Sequence, residues 1–343
     1  MRIIIEGDFF DCQVIRDRFF LWDTYGVLRV LDLRNTLKDI SHKNGGNIVF
    51  TLHKEVGEKY VISTLRIKGG IYPLDSAYMG EHLYTATESG LFRRYLPEGE
   101  KIIDVSKGIS KKLIDVRFIE LSPQPNMMAM AGAEEGVFEL YNPKKYRITK
   151  SGHEPKNQEN GIYSVNRTFS KSVWYEKDNI ANISNNGSFY LCHYRTNKQP
   201  DDQGRRLRTY LKQEALVDKL VLSLPAAVDV GKKETQKKET GGISRAIHIY
   251  AVENKEHQFS YVFATPFHPE PVIIASKPRR YLFGEFGTAA EAKKEVVVLS
   301  RKRGEIRING PITRARVVSG FGGKNNLLIT VCSDHVLITD FEE

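Results

Sequence analysis

The stretch "FFLWDTYGVLRVLDL" at 19–33 joins an aromatic run, an Asp-Thr-Tyr-Gly turn and an alternating apolar run. The same unit returns at 82–95 ("HLYTATESGLFRRY"), 127–141 ("MMAMAGAEEGVFELY") and 179–194 ("NIANISNNGSFYLCHY"), and the chain closes with "NLLITVCSDHVLITDF" at 326–341. In each, a strand of small and apolar residues meets a short turn of Asp, Glu, Ser, Asn and Gly, residue types that bond their own backbone or tolerate positive φ. The strand after the turn alternates, with Phe138 and Leu140 set against Glu139, or Val27, Arg29 and Leu31 against Leu28, Val30 and Asp32. Alternation at period 2 is the mark of a strand, so these units read as β-hairpins and the chain as all-β.

The turn glycines Gly26, Gly90, Gly136 and Gly187 follow one another at 64, 46 and 51 residues. Those intervals lie near the ~40–50 residue period of four-stranded propeller blades, and the stretch at 19–33 reads as the middle hairpin of one blade. Over 1–195 and 312–343 the hairpin spacing resembles the WD-repeat-like β-propellers, without the Gly-His opening and terminal Trp-Asp of each WD blade. The resemblance implies a single closed propeller domain over 1–343, of seven blades, or six if an insertion interrupts the later part. The strand "MRIIIE" at the start is expected to pair with "HVLITDF" near the end and complete the last blade, because pairing there removes exposed strand edges.

Helical periodicity is scarce. Its best candidate is 205–224, where Leu207, Tyr210, Leu211, Leu216 and Leu220 fall partly on a 3.6-residue stripe. Polar, low-complexity sequence surrounds it, so 197–242 reads as an insertion on one blade, with 231–242 ("GKKETQKKETGG") too poor in apolar side chains to order itself.

Neither metal nor cofactor chemistry is indicated. Cys12, Cys192 and Cys332 are an odd set without a CxxC pair, which argues against a disulfide framework or a zinc site. The nine histidines form no HxH, HExxH or HxxxH pair. Ser244 and Ser319 lie near glycines outside any GxSxG elbow, and "GFGGKN" at 320–325 lacks the P-loop spacing and reads as a plain turn. A channel-site enzyme would draw on loop or strand-start carboxylates such as Asp8, Asp75, Asp115 and Glu120. No apolar run reaches membrane-spanning length and acidic residues interrupt the start, so the expectation is a cytoplasmic protein that does not engage membranes.

The formal charge is +9, and between 270 and 318 eleven Lys or Arg face five Asp or Glu. Arg279, Arg280, Arg301, Lys302, Arg303, Arg314 and Arg316 are accordingly the candidate partner-binding residues, on loops expected to share one face and attract an acidic protein surface. Phosphates of a nucleic acid are the alternative partner, with Tyr281 and Phe283 as the aromatics able to stack bases. Trp22 and Trp174 sit inside strand-like runs and are expected in the core. The reading is a non-catalytic scaffold or adaptor, monomeric on its own, that binds another protein as a subunit of a complex.

Overall fold

The computed structural model describes residues 2–15, 18–32, 35–36, 49–52, 58–66, 73–80, 82–95, 111–124, 126–150, 161–176, 178–184, 189–217, 221–223, 248–253, 259–265, 268–276, 278–284, 286–318 and 327–341. Strands dominate them and form seven sheets. The expected mobile segment 231–242, Gly187, Ser244, Ser319 and the 320–325 turn lie outside these residues. Two compact units divide the chain: Met1–Arg66 with Leu220–Glu343, and Ile67–Lys219.

In the first unit, one sheet runs β2 (Phe9–Ile15), β3 (Arg18–Asp23), β4 (Val27–Asp32) and β6 (Val61–Arg66), so the hairpin of 19–33 is indeed the middle pair of its sheet. A second sheet runs β28 (Ile312–Val318), β29 (Leu327–Cys332), β30 (His335–Asp340), β1 (Arg2–Glu6) and β5 (Val49–Leu52). Here β1 pairs antiparallel with β30, from Arg2 opposite Thr339 to Glu6 opposite His335, as expected, and β5 adds a parallel strand beyond it. The third is β20 (Val221–Ser223), β21 (His248–Glu253), β22 (Phe259–Thr265) and β23 (His268–Ile274). The fourth is β24 (Arg280–Gly284), β25 (Gly287–Glu291), β26 (Glu295–Ser300) and β27 (Gly304–Asn309).

The second unit holds three sheets. They are β7 (Pro73–Met79) to β10 (Lys111–Ile114), with β8 (His82–Thr87) and β9 (Gly90–Tyr95) between them; then β11 (Glu120–Gln124), β12 (Met127–Ala131), β13 (Val137–Tyr141) and β15 (Ile162–Asn166). The last has β16 (Ser172–Glu176), β17 (Asn179–Ile183), β18 (Phe189–Thr196) and β19 (Arg206–Val217), edged by β14 (Tyr146–Lys150). The helical reading of 205–224 is corrected here, because Arg206–Val217 is a twelve-residue strand laddered to β18, with a register shift between His193 and Tyr194.

The middle strands β12, β13, β26 and β29 are covered on both faces. All six residues of β26 and of β29, and all five of β12 and β13, are buried, and apolar clusters join neighbouring sheets within each unit. Trp22 is fully buried and Trp174 nearly so. The hairpin turns depend on glycine: Gly26, Gly90 and Gly136 adopt φ of 75°, 128° and 96°, values that strain any residue with a Cβ.

Candidate protein-interaction surfaces

The antiparallel order of β24–β27 separates the predicted cations. Arg280 lies opposite Glu291 at one end of this sheet, whereas Ser300 and Gly304 flank the β26–β27 turn at the other, about 15 Å away at ~3.3 Å per strand residue. The expectation of one shared face is therefore corrected, since Arg280 starts β24 directly after Arg279, while Arg301, Lys302 and Arg303 form the opposite turn.

Partners divide them further. The buried carboxylate of Glu291 receives Arg280 Nη2 at 2.5 Å and Nε at 3.0 Å, has Arg279 Nη2 within 3.0 Å, and accepts the Ala315 amide of the next sheet at 2.7 Å. Arg279 also donates to the Ile312 carbonyl at 2.7 Å, and burial draws its guanidinium below the usual arginine range. Arg316 is buried and donates to Asp11 Oδ1 at 2.6 Å; half-buried Arg314 lies 5.8 Å over the Phe10 ring. Arg279, Arg314 and Arg316 thus reach a neighbouring sheet, while Arg280 is held by Glu291 within its own. Arg301, Lys302 and Arg303 are exposed, on a turn whose backbone is fixed by the Arg301 amide donating to the Phe286 carbonyl at 2.8 Å and by Ser300 Oγ accepting the amides of Lys302 and Arg303.

The carboxylates offered for a channel site are not brought together. Asp75 is buried, and its two oxygens accept the amides of Ser76 and of Leu121 in the next sheet, each at 2.7 Å. Exposed Asp115 pairs with Lys112, Glu120 is buried at the start of β11, and Asp8 is an exposed residue of the other unit.

A polar centre that strand alternation conceals lies between β13 and the β16–β19 sheet. Glu139 is fully buried; Tyr163 and Tyr175 donate to its two oxygens at 2.6 and 2.8 Å, and Arg208 Nη2 stands 3.1 Å away. The Arg208 guanidinium, also fully buried, lies 3.8 Å over the Tyr194 ring, and the Tyr194 hydroxyl is 2.5 Å from that of Tyr163. Burial first, and the Glu139 charge second, raise Tyr163, Tyr175 and Tyr194 well above the ordinary tyrosine value, so all three stay neutral donors. No sequence motif marks this cluster.

No protein-family model matches the sequence, and no curated protein matches it. Solved structures do resemble it. The N-terminal domain of Nup159 aligns over 98% of this chain and 93% of its own, with a TM-score of 0.52 at 10% identity. The WD40 β-propeller domain of Doa1 aligns over 99% and 96%, at 0.50 and 10% identity. The fold is a WD40-like β-propeller. A chain of the mitotic checkpoint complex, aligned over 99% and 91% with a TM-score of 0.51 at 8% identity, has the same fold.

Proposed function

We propose that this propeller is a non-catalytic scaffold that docks another protein as a subunit of a cytoplasmic complex, with the Arg301–Lys302–Arg303 turn taking an acidic segment of the partner. The observation that carries the reading is the presentation of three consecutive exposed cations on a turn whose amides are already bonded, so the tip loses little freedom when it docks. Such a tip raises local potential and governs association rate and salt dependence.

The experiment is a triple reversal, Arg301→Glu with Lys302→Glu and Arg303→Glu. Unfolding free energy should change by less than about 1 kcal/mol, because exposed charges contribute little to folding. Affinity for the partner recovered by pull-down with the native protein should fall tenfold or more, about 1.4 kcal/mol. Unchanged binding at low salt refutes the proposal. Retention on nucleic acid that falls steeply with salt and is lost in the same variant replaces the protein partner by a phosphate backbone.

A further inference from the structure

The Asp23-Thr24-Tyr25-Gly26 turn of the opening hairpin is held from four directions. Asp23 Oδ1 accepts the amides of Tyr25 at 2.9 Å and Val27 at 2.8 Å, and Oδ2 pairs with Arg29 Nη1 at 2.7 Å. The Gly26 amide donates to the Asp23 carbonyl at 3.1 Å, and the Thr24 amide to the Asp8 carbonyl at 3.2 Å. Yet the side chain this framework positions, Tyr25, is 69% exposed, a large amphipathic ring left in water on a rigid mount.

Beside it opens a cleft between the β1 and β2–β6 sheets, both of the first unit. Ile5, Phe9, Leu21, Leu31 and Val61 make its apolar walls, and Tyr25 stands in its lining. Gly7 fits the entrance because a Cβ there would meet the Phe9 ring at 2.9 Å. The rim is acidic: Asp23 is neutralised by Arg29, but Asp8 and Glu58 are exposed carboxylates with no ion pair among the described residues. Lys59, next to Glu58, lies over the Tyr60 ring at 4.9 Å.

An apolar slot, an exposed aromatic at its mouth and two exposed carboxylates define complementary chemistry. We propose that this cleft binds an extended protein segment bearing an aliphatic side chain flanked by Lys or Arg, the aliphatic group entering the slot and the cations meeting Asp8, Glu58 and the face of Tyr25. This surface selects the opposite charge from the Arg301–Arg303 turn, and it stands independently of that reading.

The probe is a fluorescent acetylated peptide with one leucine between two lysines in a glycine-serine frame, titrated by polarisation at low ionic strength. Expected results are saturable binding, at least tenfold weaker in Tyr25→Ala, and at least fivefold preference over the same peptide with glutamates. The Asp8→Lys/Glu58→Lys variant should abolish that preference, while the Arg301/Lys302/Arg303 reversal leaves it unchanged. Melting curves of Tyr25→Ala and the lysine variant should overlay the native protein, since these side chains are exposed. Binding no stronger than in Tyr25→Ala, or equal binding of the glutamate peptide, overturns the proposal. So does concentration-dependent self-association in sedimentation that Tyr25→Ala removes, which would assign the cleft to a second copy of the chain.

Discussion

Replacing Glu139 with glutamine keeps the shape and one carbonyl acceptor but removes the only negative charge within contact of Arg208 among the described residues. Both side chains are fully buried and 3.1 Å apart, so water cannot replace the lost partner. An uncompensated buried charge of this kind costs roughly 3–5 kcal/mol. The Tyr194 face beneath the guanidinium is present before and after the replacement, so its cation–π attraction does not offset the loss, which is at least about 3 kcal/mol. For a unit the size of Ile67–Lys219 this corresponds to a fall in Tm of about 6–12 °C. Calorimetry and urea titration of Glu139→Gln measure it directly. Tyr175→Phe should lose less, about 1.5–3 kcal/mol, because it deletes one hydrogen bond to the carboxylate and leaves the ion pair. The double replacement Glu139→Leu with Arg208→Met should recover most of the loss, since buried pairs are often replaceable by apolar groups of similar volume. A Glu139→Gln protein within 1 kcal/mol of native, or a double variant less stable than the single, refutes the reasoning.

Gly136→Ala should destabilise by several kcal/mol in urea titration, because its φ is 96° and a Cβ would stand 2.2 Å from the Asn166 carbonyl; Gly204→Ala, at φ 74° with nothing within 4 Å, should cost only the backbone strain of about 1–2 kcal/mol. All three thiols are buried, so the native protein should react with no thiol reagent at pH 8 and with three equivalents once unfolded. Burial first, then Asp334, pushes the Cys332 thiol from 9.0 up to about 11. A folded pKa above the unfolded one means this contribution is intact below pH 9 and is lost as pH rises from 9 to 11, so the urea midpoint should fall over that interval. A flat midpoint between pH 8 and 10.5 would contradict it.

The hairpins were legible because a turn is a local event. Glycines at Gly26, Gly90 and Gly136 and the Asp23 side chain act on residues at most a few positions away, and the sequence displays both partners together. Alternation misled where its premise failed. It assigns Glu139 to a wet face, yet both faces of β13 are covered, and the carboxylate is satisfied by an arginine 69 residues further along. The same long-range pair explains the helical reading of 205–224. In β19 Arg208 and Tyr210 face the packed side, while Leu211 remains 47% exposed, so the leucine stripe does not mark the buried face. Arg316 likewise reads as a surface cation in the sequence because its partner, Asp11, lies 305 residues away.

These pairs share a position in the architecture. Strands β2 and β7 each slip register two residues after they begin, at Asp11 and Asp75, and a bulge of this kind turns a side chain out of the pleat. Both turned carboxylates reach the neighbouring sheet, Asp11 to Arg316 and Asp75 to the Leu121 amide. Glu139, Glu291 and Glu295 do the same from other strands, taking Arg208 with Tyr175, the Ala315 amide, and the Ala275 amide. Apolar faces of Val, Ile, Leu and Ala can slide past one another at small cost, whereas a buried carboxylate is satisfied at one offset only and is penalised at every other. The charges inside each unit therefore set how one sheet registers on the next. Arg279, Arg280 and Arg316 belong to that internal system, whereas Arg301, Lys302 and Arg303 are exposed on a turn, where exposed charges contribute little to folding, so their reversal is the one suited to report on a partner.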